Sequence, residues 1–344
     1  MELYHENGFA NIPNIIAQRM TFNFIIGGRG TGKTFGALKY VYETKTRFCL
    51  MRRTQSQLDT ISKPETSPFK SVCSPDYLVE PAPLGKSIYG YYHIKLDEEG
   101  NATQGELLGY AIALSTVANL RGFDMSDVDL LIYDEFIPES HERALKNESD
   151  AWYNCYETLN RNRELQGKAP IQVLCLANAN DFACPLLVGL GLVSTIETMI
   201  RQGKSTYINP QRSVGIYLLN DSPISDRKAK TALYKLTREN AFSDMAIKNA
   251  FAGSDDPDVY SVNLREYNPL VTVGEITLYK HKSAPLYYAS SHASGTVGKF
   301  SGDGVDMKRF FATHRGIILA AMTGKIIYES HLIKALFLRY CNFI

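Results

Sequence analysis

The chain has 344 residues, 44% of them apolar and 21% charged, which is enough for two packed domains. Its 37 Lys and Arg against 36 Asp and Glu exclude a globally basic polyanion binder, although residues 221–344 carry 16 basic against 12 acidic side chains and residues 1–220 carry 21 against 24. No run approaches 18 apolar residues, MELYHENGF lacks a basic-then-apolar leader, and six cysteines without C-x-x-C spacing read as reduced thiols, so a cytosolic protein with no membrane span is expected.

In chain order, IPNIIAQRM (12–20) reads as a short helix leading into a strand, TFNFIIGG. After the glycines, apolar residues at 35, 37, 38 and 41 predict a helix over about 33–43. RFCLMRR is a second strand. Five prolines between 54 and 105 predict loops and short pieces there, with SIYGYYHIKL as a peripheral strand. GELLGYAIALST (105–116) and VDLLIYDEF (128–136) are further strands, and the second has the composition of a buried one. Residues 149–165 read as a helix, IQVLCLANAN (171–180) as a central strand, 186–200 as a helix and SVGIYLLND (213–221) as the last strand of the unit. Strands alternating with helices imply an α/β fold with a mainly parallel sheet over 1–222. Residues 223–253 read as a helical lid or linker. A small α/β or α+β domain at 254–344 is expected, with several strands among VYSVNL, VTVGEITLYKH, PLYYASS and GIILAAM before a terminal helix.

GGRGTGKT fits G-x-x-x-x-G-K-[ST] and sits between a strand and a helix, the setting a phosphate-binding loop requires. Gly27, Gly28, Arg29, Gly30, Thr31 and Gly32 would wrap a triphosphate in backbone N–H groups at a helix N-terminus. Lys33 would reach the β- and γ-phosphates, and the Thr34 hydroxyl would bind Mg2+. The chain is thus expected to use ATP and magnesium. DLLIYDEF buries its apolar residues and carries Asp134 and Glu135 out at the C-terminal end, where open parallel sheets bind ligands. Asp134 is the expected magnesium partner and Glu135 the general base that activates water. Such a glutamate favours hydrolysis over phosphate transfer to a small molecule.

Asn178 is a candidate sensor of the attacking water, with Asn180 as the alternative. Arg29 could neutralise charge in cis or form a salt bridge elsewhere. Arg161 and Arg163 near a helix end are candidates for an arginine finger entering a neighbouring subunit. Arg121 and Gly122 precede the acidic strand as a possible coupling loop. Basic clusters that could meet nucleic acid include Arg52, Arg53, Lys228 and Lys235, the last two seven apart and able to share one helical face. The acids of the C-terminal domain include Asp255, Asp256 and Asp258, which precede a strand, a poor match to a two-metal nuclease.

Taken together, GGRGTGKT with its internal Arg29, NLRG before VDLLIYDEF, and LANAN resemble the DNA-packaging ATPases of small tailed phages with protein-primed replication, terminase-like ring motors. The resemblance rests on roughly residues 1–220. It implies a P-loop NTPase of the additional-strand, catalytic-glutamate type, with Lys33, Thr34, Asp134 and Glu135 at its nucleotide and hydrolytic positions. It also implies a trans-acting arginine, Arg161 or Arg163, and a pentameric ring at the capsid portal acting on double-stranded DNA in the host cytoplasm. In some members a structural RNA takes part. The C-terminal domain would then resemble an RNase H-like nuclease that has lost its acids. A helicase- or transposition-type ATPase and a non-hydrolysing, nucleotide-gated interaction module are the competing readings.

Overall fold

The computed structural model describes residues 1–96, 102–120, 122–139, 142, 145–220, 222–237, 256–293 and 298–341. Two compact units emerge, one made of Met1–Asp181 and Met199–Ala252, the other of Phe182–Thr198 and Gly253–Ile344.

The first unit is built on one sheet. Its strands are β1 (Phe22–Gly27), β2 (Phe48–Arg52), β3 (Val79–Gly85), β4 (Ile88–Leu96), β5 (Ala102–Ala113), β6 (Leu130–Asp134), β7 (Gln172–Ala177), β8 (Thr206–Asn209) and β9 (Val214–Leu219). Their order is β3-β4-β5-β2-β6-β7-β1-β9-β8. The six central strands, β5 to β9 in that order, pair in parallel. β6 and β9 are buried along their whole length, which is why they read as unbroken apolar runs. β7 lies between the phosphate-loop strand β1 and the acidic strand β6. Helix α1 (Ile12–Ile16) packs against α2 (Lys33–Thr44), with Ile12, Ile15, Ala37 and Leu38 in the core under the sheet.

Several expectations need correction. The proline-rich interval is more ordered than its composition predicts, because β3 and β4 add an antiparallel ribbon to the edge of β5. Pro81 and Pro83 fit there because β3 is an edge strand, where a missing N–H costs little. A helix, α3 (Gln55–Ile61), opens the interval with a reciprocal Thr54–Gln57 cap. β8, unread in the sequence, forms a hairpin with β9. The helix expected over 149–165 is α4 (Glu148–Asn160), stopped by Arg161, whose φ of 45° leaves the helical region.

The second unit contains a five-stranded sheet ordered β13-β10-β11-β12-β14, made of β10 (Tyr267–Val273), β11 (Ile276–His281), β12 (Tyr287–Ser290), β13 (Gly298–Phe300) and β14 (Ile326–Tyr328). Val271, Val273, Ile276 and Leu278 meet Phe310, Ile317 and Phe337 in its core. GIILAAM is helical and not a strand, lying within Arg315–Met322, where Ile317 and Ala320 bury one helical stripe. VYSVNL is not a strand either; Val259 makes one isolated bridge to Tyr328. The terminal helix does form, over His331–Cys341. Residues 238–253 of the expected linker, and Asp255, lie outside the described residues. No helix among the described residues is long and apolar enough to cross a membrane.

One buried ion pair ties the end of β2 to the start of α4. Arg53 is 1% exposed and grips Glu148 through Nε at 2.9 Å and Nη2 at 3.0 Å, with Glu142 at 3.1 Å. Tyr133 and the Leu145 N–H also donate to Glu148. A residue so enclosed cannot contact nucleic acid, which removes Arg53 from the basic clusters proposed for that role. Removing one partner strands a buried charge, so Arg53→Met should lower unfolding stability by about 3–5 kcal/mol. Arg53→Met combined with Glu148→Leu should lose less than either single variant, as urea denaturation would measure.

Candidate nucleotide site

β1 ends at Gly27, and the chain then turns through Gly30 and Gly32, with φ of 70° and 77°. Both values fall in the left-handed region that side chains disfavour, so glycine lets the loop curl tightly before α2 begins. Lys33 is the first residue of that helix, yet its side chain folds back into the loop. Its Nζ donates to the carbonyls of Gly27 and Gly28, each at 2.9 Å, and to Thr31 Oγ1 at 3.3 Å. Burial pulls the Lys33 ammonium down to about 7, partly opposed by Asp134, with Lys228 and Arg29 pushing the same way as burial. An anion in this loop would relieve that cost.

Across the sheet, β6 carries Asp134 to the same edge. Thr34 Oγ1 donates to Asp134 Oδ1 at 2.9 Å, joining the two predicted magnesium partners. Arg52, at the end of β2, bridges the acidic pair, with Nη2 at 3.0 Å from Asp134 and Nη1 at 2.5 Å from Glu135. Its basic doublet puts Arg52 among the expected nucleic-acid contacts; the structure puts it instead on the Asp134–Glu135 pair. The sign was there to be read, since Arg52 ends an apolar parallel strand as Asp134 does. Glu135 has φ of 59°, a left-handed backbone for a residue with a side chain, and such strain clusters at working sites. Burial raises its carboxyl, Arg52 opposes the rise, and Asp134, Glu142 and Glu139 add to it.

β7 brings Asn178 in. Its Oδ1 lies 3.4 Å from Lys33 Nζ, whereas Asn180 turns away to the carbonyl of Pro138. Lys33, Thr34, Asp134, Glu135 and Asn178 all line one cavity of about 240 Å³. Arg29, in contrast, leaves the cavity to pair with Glu139.

The remaining candidates are dispersed. Arg163 is held firmly, bonding the carbonyls of Val128 at 2.6 Å and Ala169 at 3.1 Å and the Asp129 carboxylate at 2.7 Å. Arg161 is far more open, with contacts to Phe123 O at 2.8 Å and Asp124 at 3.3 Å. Both pin the loop that precedes β6. Arg121 lies outside the described residues. Lys228 and Lys235 do not share a helical face, because the helix breaks between α5 (Ser225–Ala229) and α6 (Ala232–Leu236). Lys235 is exposed, while Lys228 turns onto the phosphate loop.

The donor set suits magnesium. Thr34 and Asp134 offer hard oxygen ligands side by side, and this ion takes few protein ligands beside phosphate oxygens and water. No trio of His, Cys, Asp or Glu forms a metal cage among the described residues.

The sequence profile of the podovirus DNA encapsidation protein (Gp16) matches residues 5–266. The chain is 26% identical over 239 residues to the DNA packaging protein of Bacillus phage B103, an alignment that takes in 68% of this chain and 65% of that protein. It is 25% identical over 252 residues to the DNA packaging protein of Bacillus phage phi29, covering 71% and 66%. The chain therefore spans just under two-thirds of the length of these curated relatives. Among solved structures it superposes on the Phi-28 gp11 DNA packaging motor with a TM-score of 0.63 at 18% identity over 98% of both chains. On the bacteriophage Phi-29 viral genome packaging motor assembly the TM-score is 0.64 at 17% identity over 99% of both. At these identities the structural likeness establishes a common fold.

Arg52 is the counter-charge of two adjacent carboxylates, so its removal should leave them repelling one another. Arg52→Gln should lower the melting temperature of the nucleotide-free chain, and millimolar magnesium should restore more of it than it adds to the wild type. Equal magnesium effects on both proteins would refute the bridging role.

Proposed function

The chain belongs to the podovirus DNA encapsidation protein family, and from that premise we propose that it is an ATP-hydrolysing motor subunit that drives double-stranded DNA into a preformed capsid. The observation that carries this reading is the single cavity in which the loop lysine and threonine face Asp134 and Glu135. Triphosphate in the loop would draw the Lys33 ammonium from the carbonyls of Gly27 and Gly28 to the phosphate oxygens, where a full positive charge is favoured. Thr34 and Asp134 would hold magnesium, which when bound would neutralise phosphate charge. Glu135 orients water and accepts its proton, and its raised carboxyl makes it a stronger base than a free glutamate. Arg52 keeps that carboxylate aimed. Asn178, beside Lys33, reports the state of the phosphates to β7.

Hydrolysis in this scheme is completed by a neighbouring copy in a ring, which we take to be a pentamer at the capsid portal. Of the two finger candidates, Arg161 suits the role better. It is exposed, strained at φ of 45° and loosely held, whereas Arg163 is committed to its own chain. The segment from residue 223 acts as the lid of the ATPase. The domain beyond 254 serves DNA or portal contact without nuclease activity.

Glu135→Gln should bind ATP with near-normal affinity and lose about 100-fold or more of its turnover; near-normal hydrolysis by that variant would sink the assignment. ATPase rate with duplex DNA should rise with protein concentration as rings assemble. Arg161→Ala should abolish that rise while leaving ATP binding intact, whereas Arg163→Ala should chiefly lower the melting temperature. The reverse pattern would transfer the finger to Arg163. Stimulation by single-stranded but not duplex DNA would favour a helicase, and no stimulated turnover at any concentration would favour a nucleotide-gated module.

A further inference from the structure

Lys228 is a half-buried lysine whose Nζ has no hydrogen-bond or ion-pair partner among the described residues, and it sits on the phosphate loop. Its Nζ is enclosed and makes no hydrogen bond. A Cβ placed on Gly30 would meet Lys228 Cε at 3.1 Å and Nζ at 3.2 Å, so the lysine's tip covers the loop where glycine leaves room. Its Nζ lies over the face of Tyr234, 5.4 Å from the ring centroid, a weak substitute for an anion. The segment that carries it is anchored at its start, where Ser222 Oγ donates to Gly8 O at 2.8 Å.

The other cations at this loop are accounted for. Arg29 is neutralised by Glu139, and Lys33 is bonded to two carbonyls with Asp134 nearby. Burial and the neighbouring Arg29 both depress the Lys228 ammonium, and Lys228 in turn depresses Lys33. Keeping an enclosed ammonium without a counter-charge is costly unless a ligand supplies one. Within the nucleotide reading above, on which this inference rests, the ligand at Gly30 is the polyphosphate of ATP.

We infer that Lys228 is a phosphate-binding residue that reaches the polyphosphate of ATP over Gly30 and thereby couples the residue 222–237 segment to the nucleotide. The helix that carries it would then be held down while a triphosphate is present and released as charge leaves the site. Such a cation would discriminate ATP from ADP as well as strengthen binding, because its field acts where the terminal phosphate adds negative charge.

The test uses the purified full-length chain and titrations with fluorescent ATP and ADP analogues. Lys228→Met should bind the ATP analogue about tenfold more weakly or worse, the weight of one charge-assisted hydrogen bond, with a smaller loss for ADP. Lys228→Arg should recover most of the affinity, and Lys230→Met, an exposed position on the same segment, should bind as the wild type does. Without nucleotide, Lys228→Met should melt no lower than the wild type, since it removes an enclosed ammonium that has no counter-charge among the described residues; a folding defect would give the opposite. Unchanged ATP affinity in Lys228→Met beside a wild type that binds ATP would overturn this inference alone. A wild type that binds no ATP would overturn the nucleotide reading as well. Loss of duplex-DNA affinity with ATP affinity intact would assign Lys228 to DNA and likewise overturn it.

Discussion

Parallel pairing of four strands is the constraint on which the site depends. Ile26 of β1 lies beside Ala177 of β7, Leu176 beside Asp134 of β6, and Tyr133 beside Met51 of β2. In that register the chain leaves all four strands at one edge, so the phosphate loop, Asn178, the Asp134–Glu135 pair and Arg52 meet. A one-residue slip in any strand would turn its buried residues to the opposite face and move its terminal residue out of line. The apolar burial of β1, β6 and β7 therefore both stabilises the sheet and sets the geometry of the chemistry.

The charges at that edge separate into two groups. Lys33, Lys228 and Arg29 gather at the loop, while Asp134 and Glu135 stand across the cavity with Arg52 between them. Neither group is fully compensated from within. The loop lysine is depressed by burial and by its cationic neighbours, and the glutamate is raised by burial and by its acidic ones. The magnesium triphosphate proposed for this site would answer both groups, with anionic charge for the lysines and cationic charge for the carboxylates. Electrostatic mismatch held in place by a rigid sheet is how a protein prepares a site for such a ligand.

The places where sequence reading failed share a cause. Arg52 and Arg53 are neighbours with the same chemistry, yet one side chain joins the Asp134–Glu135 pair and the other a buried salt bridge to Glu148. Successive residues of a strand point to opposite faces, and nothing in the doublet says what waits on each side. Lys228 and Lys235 are set seven apart as on one helix, but the turn between them breaks the helix and separates them. GIILAAM is a short apolar run, and periodicity alone does not distinguish a buried strand from a buried helix at that length. The edge ribbon of β3 and β4 hid behind its prolines for a related reason: an edge strand tolerates what a central one cannot.

By itself the sequence determined the parallel α/β scaffold, the phosphate loop and the acidic strand end. Each depends on local chemistry: glycines that permit a tight turn, a lysine and threonine at a helix start, and an apolar run ending in carboxylates. Tertiary structure alone decided which cations join that site. Arg52 and Lys228 come from separate segments and meet the site at Asp134 and Gly30, 82 and 198 residues away, whereas Arg161 and Arg163 are drawn off to Asp124 and Asp129. A long basic side chain carries no local mark of its partner, because its charge can be matched by any group that the folded chain brings within a few ångströms.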